Sequence, residues 1–151
     1  MRSLLRAPFA ADLSVVFVSV RENDLLFLRP EHRQAMSLEG SSMRELAEQN
    51  LAAEFPELKT EEIAGGVFTL SPLSDFNSGR LLLSSQWKEL ESKVGAPLLA
   101  CVPSRDSVFL ANARAANVLR KACAIEHRAS GYPIAPGILE LSGAGWRAWE
   151  Q

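Results

Sequence analysis

The chain has 151 residues, 47% of them hydrophobic and 23% charged, and its 16 Lys and Arg against 18 Asp and Glu leave a formal charge of −2. This excludes a disordered chain, which combines low hydrophobicity with high net charge, and nine Gly and eight Pro without a period exclude a fibrous one. A balance so near zero disfavours a dedicated nucleic-acid binder, which needs many phosphate-neutralising cations. The length suits a single domain over residues 1–151, able to bury roughly 70% of its unfolded surface without metal or disulfide.

From the N-terminus, Arg6 interrupts the apolar residues after Leu4 and Leu5, so no hydrophobic stretch of signal-peptide length forms. Asp12 to Val20 is rich in β-branched residues and is followed by Arg21-Glu-Asn-Asp24 and Leu25 to Leu28, which predicts a hairpin turning at Asn23 and Asp24. A polar connection runs through Pro30, His32 and Gly40 to Ser42-Met-Arg-Glu45, whose spacing predicts a capped helix start. Met43, Leu46, Ala47, Leu51 and Phe55 form its apolar stripe, and Pro56 stops it.

After a polar segment to Glu62, Gly65 to Leu70 reads as a short strand entered by a glycine turn. A second helix is predicted from Asn77 and Ser78, with Leu83, Trp87, Leu90 and Val94 on one face and Gly95 at its end. Two apolar runs, Pro97 to Val102 and Ser107 to Ala111, flank Pro103-Ser-Arg-Asp106 and predict a second hairpin. Asn112 caps a third helix from about Ala113 to Ala129, with Ala116, Leu119, Ala122, Cys123 and Ile125 inward and Gly131 beyond it. Tyr132 to Leu141 and Trp146 to Trp149 read as a last hairpin around Ser142-Gly-Ala-Gly145. Because hairpins dominate this order, the expected fold is α+β, an antiparallel or mixed sheet with three helices on one face.

The segments Asp75-Phe-Asn-Ser-Gly-Arg-Leu-Leu-Leu, Val102-Pro-Ser-Arg-Asp-Ser-Val-Phe-Leu-Ala111 and Gly131-Tyr-Pro-Ile occur in that order. Ahead of them lies Ala47-Glu-Gln-Asn-Leu51. In this combination the chain resembles the YtpQ-like family of bacterial proteins over about residues 12–141. The resemblance implies a bacterial cytoplasmic protein of this fold class. It brings no activity, cofactor or catalytic residue.

Candidate chemistry is sparse. His32 sits in a solvated connection and His127 near a helix C-terminus, where its charge suits the helix dipole, and neither lies in a catalytic signature. Cys101, Cys123, Glu126 and His127 are the one conceivable zinc set, but Cys123 also fits the apolar stripe, so core packing is the better reading and no metal is expected. The two cysteines lack CxxC spacing and read as buried thiols in a reducing compartment, with a Cys101–Cys123 bridge as the other reading. Ser104, Ser107 and Ser130 lack a nucleophile elbow, and no phosphate-cradling glycine pattern occurs. No catalytic residue or cofactor is therefore assigned.

The best polar constellation is Arg105 and Asp106 with Asp75, where the guanidinium offers a fork for a carboxylate or phosphate. The competing reading is a turn in which Arg105 pairs with Asp75 or with solvent. Arg114, Lys121 and Arg128 recur every seven residues, as a solvated face or as one for an anionic partner. Trp146 and Trp149 are three apart, so a regular strand would point them to opposite sides, leaving one free to anchor a partner at a sheet edge. The expectation is a cytoplasmic interaction module that is not an enzyme, with a protein partner or self-association and neither membrane nor nucleic acid. The alternative is a small-molecule or anion-binding protein, conceivably an enzyme, built on Asp75, Arg105 and Asp106.

Overall fold

The computed structural model describes residues 4–38 and 40–150. The chain forms two compact units, residues 1–54 and residues 55–151.

In the first unit, β1 (Arg6–Pro8) pairs antiparallel with β2 (Ser14–Val16), and β3 (Val18–Val20) with β4 (Leu25–Phe27). The Arg21 N–H donates to the Asp24 carbonyl at 2.9 Å, closing the predicted turn. The run expected as one strand is divided at Phe17, whose side chain enters a small core with Leu5, Leu28 and Met43. The supposed connection contains α1 (Pro30–Ala35), with Pro at its first position and the Arg29 N–H donating to His32 Nδ1 at 3.0 Å. Next comes α2 (Gly40–Glu54), which starts two residues ahead of Ser42, so Ser42 lies inside the helix instead of capping it. Met43 is buried and Ala47 partly so, whereas Leu46 faces solvent.

The second unit is built on one six-stranded sheet, every neighbouring pair antiparallel. Its elements are β5 (Lys59–Ala64), β6 (Val67–Ser71), a 3-10 turn (Asn77–Leu82), α3 (Ser84–Val94), β7 (Leu98–Cys101) and β8 (Phe109–Asn112). A 3-10 turn (Ala113–Ala115), α4 (Ala116–Ala129), β9 (Ile138–Ser142) and β10 (Gly145–Ala148) complete it. The order across the sheet is β10-β9-β7-β8-β6-β5. The α+β class and its hairpin-built antiparallel sheet are as the sequence predicts.

Several local readings are corrected. The polar segment before Glu62 is strand β5: at the sheet edge its side chains face water, so charged residues are tolerated and apolar alternation is lost. The second helix is divided at Leu83, whose φ of −82° and ψ of 67° are not helical. Strand β9 starts only at Ile138, and the preceding residues form a loop. On α4, Ala116, Leu119 and Cys123 are buried as expected and Asn112 caps the preceding turn by accepting from the Arg114 N–H at 3.0 Å, but Ile125 is 63% exposed.

Register separates the two faces of the sheet. Leu99, Cys101, Ala111 and Ile138 pack with Leu119 and Cys123 of α4. On the other face Leu139 is paired with Ala100 and Leu141 with Trp146, and the Trp146 ring meets Trp87 of α3 edge-on at 5.1 Å. The helices of this unit thus cover opposite faces, α4 on one and α3 on the other. Both cysteines are fully buried, as expected, but they are joined: a Cys101–Cys123 disulfide ties β7 to α4 with a Cα–Cα distance of 6.5 Å, within the range such bonds span. This removes both thiols from the conceivable zinc set.

Between β5 and β6, Gly65 and Gly66 have φ of 59° and 82°, the signature of a two-residue hairpin turn between the paired Ala64 and Val67, and the Gly66 N–H donates to Glu62 Oε1 at 3.2 Å. A Cβ at position 66 would also come within 3.3 Å of the Ala115 Cβ. Gly66→Ala is expected to lower stability by about 1–2 kcal/mol, measured as a lower urea midpoint with unchanged slope.

Candidate functional site

The sheet's connectivity gathers three loops at one end. Every neighbouring pair is antiparallel, so β6 and β7 both run toward that end and β8 and β9 both leave it. The loops after β6, between β7 and β8, and before β9 therefore meet there. They contain Asp75, Arg105, Asp106 and Tyr132.

Backbone hydrogen bonds knit them. The Arg105 N–H donates to the Tyr132 carbonyl at 3.1 Å, the Ile134 N–H to Pro103 at 2.9 Å, and the Ala135 N–H to Val102 at 3.1 Å. The Ser78 N–H donates to the Arg105 carbonyl at 3.1 Å, and Ser104 forms a β-bridge with Pro133. Beneath them lies the fully buried Asn77, whose Nδ2 donates to the Asp106 carbonyl at 3.0 Å and the Pro72 carbonyl at 3.4 Å. Its Oδ1 accepts from Arg80 Nη1 at 3.3 Å.

Arg80 is itself fully buried. Its guanidinium donates to the carbonyls of Ser71 at 3.3 Å and Glu57 at 3.1 Å and lies 4.4 Å from the centre of the Phe55 ring, and its own carbonyl accepts from Trp87 Nε1 at 2.8 Å. Burial lowers its pKa, and among the described residues no carboxylate pairs with it. Neither Asn77 nor Arg80 is marked as a site residue by its sequence context. The available signal was an arginine beside three consecutive leucines, where an exposed cation would be out of pattern.

On the surface of this frame the three predicted residues meet. Arg105 Nε donates to Asp106 Oδ1 at 2.7 Å and Nη2 to Asp75 Oδ1 at 3.3 Å, across 30 residues of sequence. The hydrogen bond with Asp106 is the main cause that raises the Arg105 pKa, so the group is a fixed cation. Its guanidinium also stacks on Tyr132, 3.9 Å from the ring centre, a contact not anticipated from the sequence. Tyr132 is 58% exposed, and Leu73 and Ile134 in the same loops are exposed too. Ser104 Oγ is buried and has no hydrogen-bond partner among the described residues.

Chemically this surface is one guanidinium between two partly exposed carboxylates. A small anion approaching Arg105 would meet Asp75 and Asp106, already seated on two of its N–H groups. The remaining carboxylate oxygens and the tyrosine face instead suit hydrogen-bond donors and apolar atoms. Among the described residues no group of three or more His, Cys, Asp or Glu is arranged to hold a metal ion, and no helix is long and apolar enough to cross a membrane.

The tryptophans do point to opposite faces, but neither is exposed. Trp146 packs on Trp87 and donates Nε1 to the Leu81 carbonyl at 3.2 Å, while Trp149 packs against the α4-side core with the Arg120 guanidinium 4.9 Å from its ring. A hollow of about 380 Å³ lies between Pro56–Lys59 and α3, lined in part by Gln86, Glu89, Leu90 and Lys93. Its charges are matched, Lys59 with Glu57 at 3.7 Å and Lys93 with Glu89 at 3.0 Å. Compared with family models, with curated proteins and with solved structures, the chain gives no match.

Proposed function

We propose that this chain is a non-enzymatic protein-interaction module whose contact face is the loop end around Arg105, Tyr132, Asp75 and Asp106. One observation carries the reading: three loops tied together by backbone hydrogen bonds and by Asn77 present an arginine stacked on an exposed tyrosine, with Leu73 and Ile134 exposed in the same loops. Arg and Tyr are, with Trp, the side chains most enriched at binding hot spots, and a frame ordered in advance lowers the entropy cost of ordering it on binding. Trp146 and Trp149 serve less well as anchors, because both have partners inside the chain. The anion-binding alternative is disfavoured by the two carboxylates beside Arg105.

We also propose membership of the YtpQ-like bacterial family, supported by the meeting of its three resembling segments at one loop end, and residence in the cytoplasm. There the burial of Cys101 and Cys123 would shield their bond from attacking thiolates.

Sedimentation velocity of the purified chain over a concentration series, together with capture from its source lysate, tests the contact face. Arg105→Ala with Tyr132→Ala is expected to abolish the association that Trp149→Ala retains, while costing only about 1 kcal/mol of stability because the ion pairs are partly exposed. Retention of every association by the double variant would remove this face. A monomer whose Tm rises with phosphate or dicarboxylates, and no longer does so in Arg105→Ala, would favour the alternative.

A further inference from the structure

The basic repeat on the third predicted helix is not used by the loop end. Arg114, in the 3-10 turn leading into α4, and Lys121 and Arg128 on α4 are all exposed, and none makes an ion pair among the described residues. Val118 and Ile125 lie between them, 41% and 63% exposed. The spacing 114, 118, 121, 125, 128 alternates four and three, which keeps all five on one stripe.

This is the seam of a heptad repeat, with β-branched Val118 and Ile125 at the a positions and cations at the d positions. Cys123, Leu119 and Ala116 occupy the opposite face and hold α4 to the sheet. Ala122, Ala124 and Ala129 flank the seam, short enough to admit another backbone at helix-packing distance. No carboxylate of α4 lies on the stripe: Glu126, its one acid, is turned aside and accepts from Ser107 Oγ at 3.2 Å. The β5–β6 hairpin, whose turn abuts Val118, also carries acids. There Glu61 accepts from Ser71 Oγ and Glu62 from the Gly66 N–H.

We infer that the outer face of α4 docks an amphipathic acidic helix of a partner protein, with apolar side chains against Val118 and Ile125 and carboxylates against Arg114, Lys121 and Arg128. A second copy of the same seam is unsuitable, because it brings three more cations and no carboxylate to meet these. Polyanions such as nucleic acid would gain nothing from the two apolar residues set between the cations. An anionic membrane would find only two branched side chains to bury along four turns, too few for an interfacial helix. The 14 residues of α4 span about 21 Å, enough for a docked helix of three to four turns.

The probe is a synthetic 21-residue peptide with Leu at a and Glu at d, titrated into the full chain by fluorescence anisotropy. Saturable binding is expected, weakened about tenfold or more by Lys121→Glu with Arg128→Glu and restored toward that variant when the peptide glutamates become lysines. Val118→Gln with Ile125→Gln is expected to weaken binding with Tm lowered by only a few degrees, and Ile125→Gln alone, at the more exposed position, to weaken it with Tm unchanged. Three outcomes would overturn the assignment: no saturable binding, binding indifferent to charge reversal, or glutamine variants that bind the peptide as well as the wild type. Retention on heparin or on phosphatidylglycerol vesicles that ignores the Val118 and Ile125 changes, with no peptide bound, would assign the stripe to polyanions instead.

Discussion

Arg80→Ala is expected to lower the stability of the 55–151 unit by about 4 kcal/mol, the largest effect of any single substitution proposed for this chain. The loss combines several effects. The carbonyls of Ser71 and Glu57 and the buried Asn77 Oδ1 lose donors, the Phe55 ring loses its cation, and a void of arginine size opens. The effect should extend to the surface, because Asn77 also holds the Asp106 and Pro72 carbonyls and so keeps the Arg105 loop in place.

Arg80→Lys is expected to be nearly as damaging, since an ammonium cannot reproduce a planar fork reaching acceptors on several sides. Arg80→Met fills most of the volume without a buried charge, so it should recover part of the loss. All three tryptophans, Trp87, Trp146 and Trp149, lie in this unit, and urea unfolding followed by tryptophan fluorescence therefore reports on it. An alanine variant within about 1 kcal/mol of wild type would mean that the buried guanidinium does not organise this end of the sheet.

The second large effect concerns Cys101–Cys123. Their separation of 22 residues gives a closed loop whose entropy in the unfolded chain is worth about 3 kcal/mol. Cys101→Ala with Cys123→Ala, or reduction of the denatured wild type before refolding, should lower stability by about that amount and by similar degrees. Loosening should be greatest at α4, which the bond ties to β7. Alkylation of the unreduced, denatured protein followed by mass measurement is the direct check. Two thiols labelled without reductant would show that the bond is not formed in solution.

The legible parts of the site were those whose signal is local in sequence. Arg105 and Asp106 are adjacent, and their place in a Pro-Ser-Arg-Asp turn between two apolar runs was enough to put them at a surface loop. Asp75 could be named only as a companion that the fold had to bring near. Tyr132 looked like the first residue of a strand, because an aromatic before an apolar run reads that way. Its loop is instead directed by Pro133 and Pro136 and by backbone bonds to residues 102–105. Asn77 looked like a helix cap, since a cap and a buried polar node use the same residue type; only its neighbours distinguish them.

Periodicity and turn chemistry by themselves determined the class of the fold, the β3–β4, β7–β8 and β9–β10 hairpins, the buried Ala116, Leu119 and Cys123 of α4 and the Asn112 cap of the 3-10 turn before it, because each depends on residues within a few positions of one another. Tertiary structure alone decided the rest. Edge position permits the charged strand β5, which has no alternating apolar face to reveal it. The order of the strands puts the two crossover helices on opposite faces and brings three distant loops to one end. The cysteines meet, and Trp146 and Trp149 turn inward, because register sets which side chains share a face, and register is fixed by pairing between segments far apart in the chain.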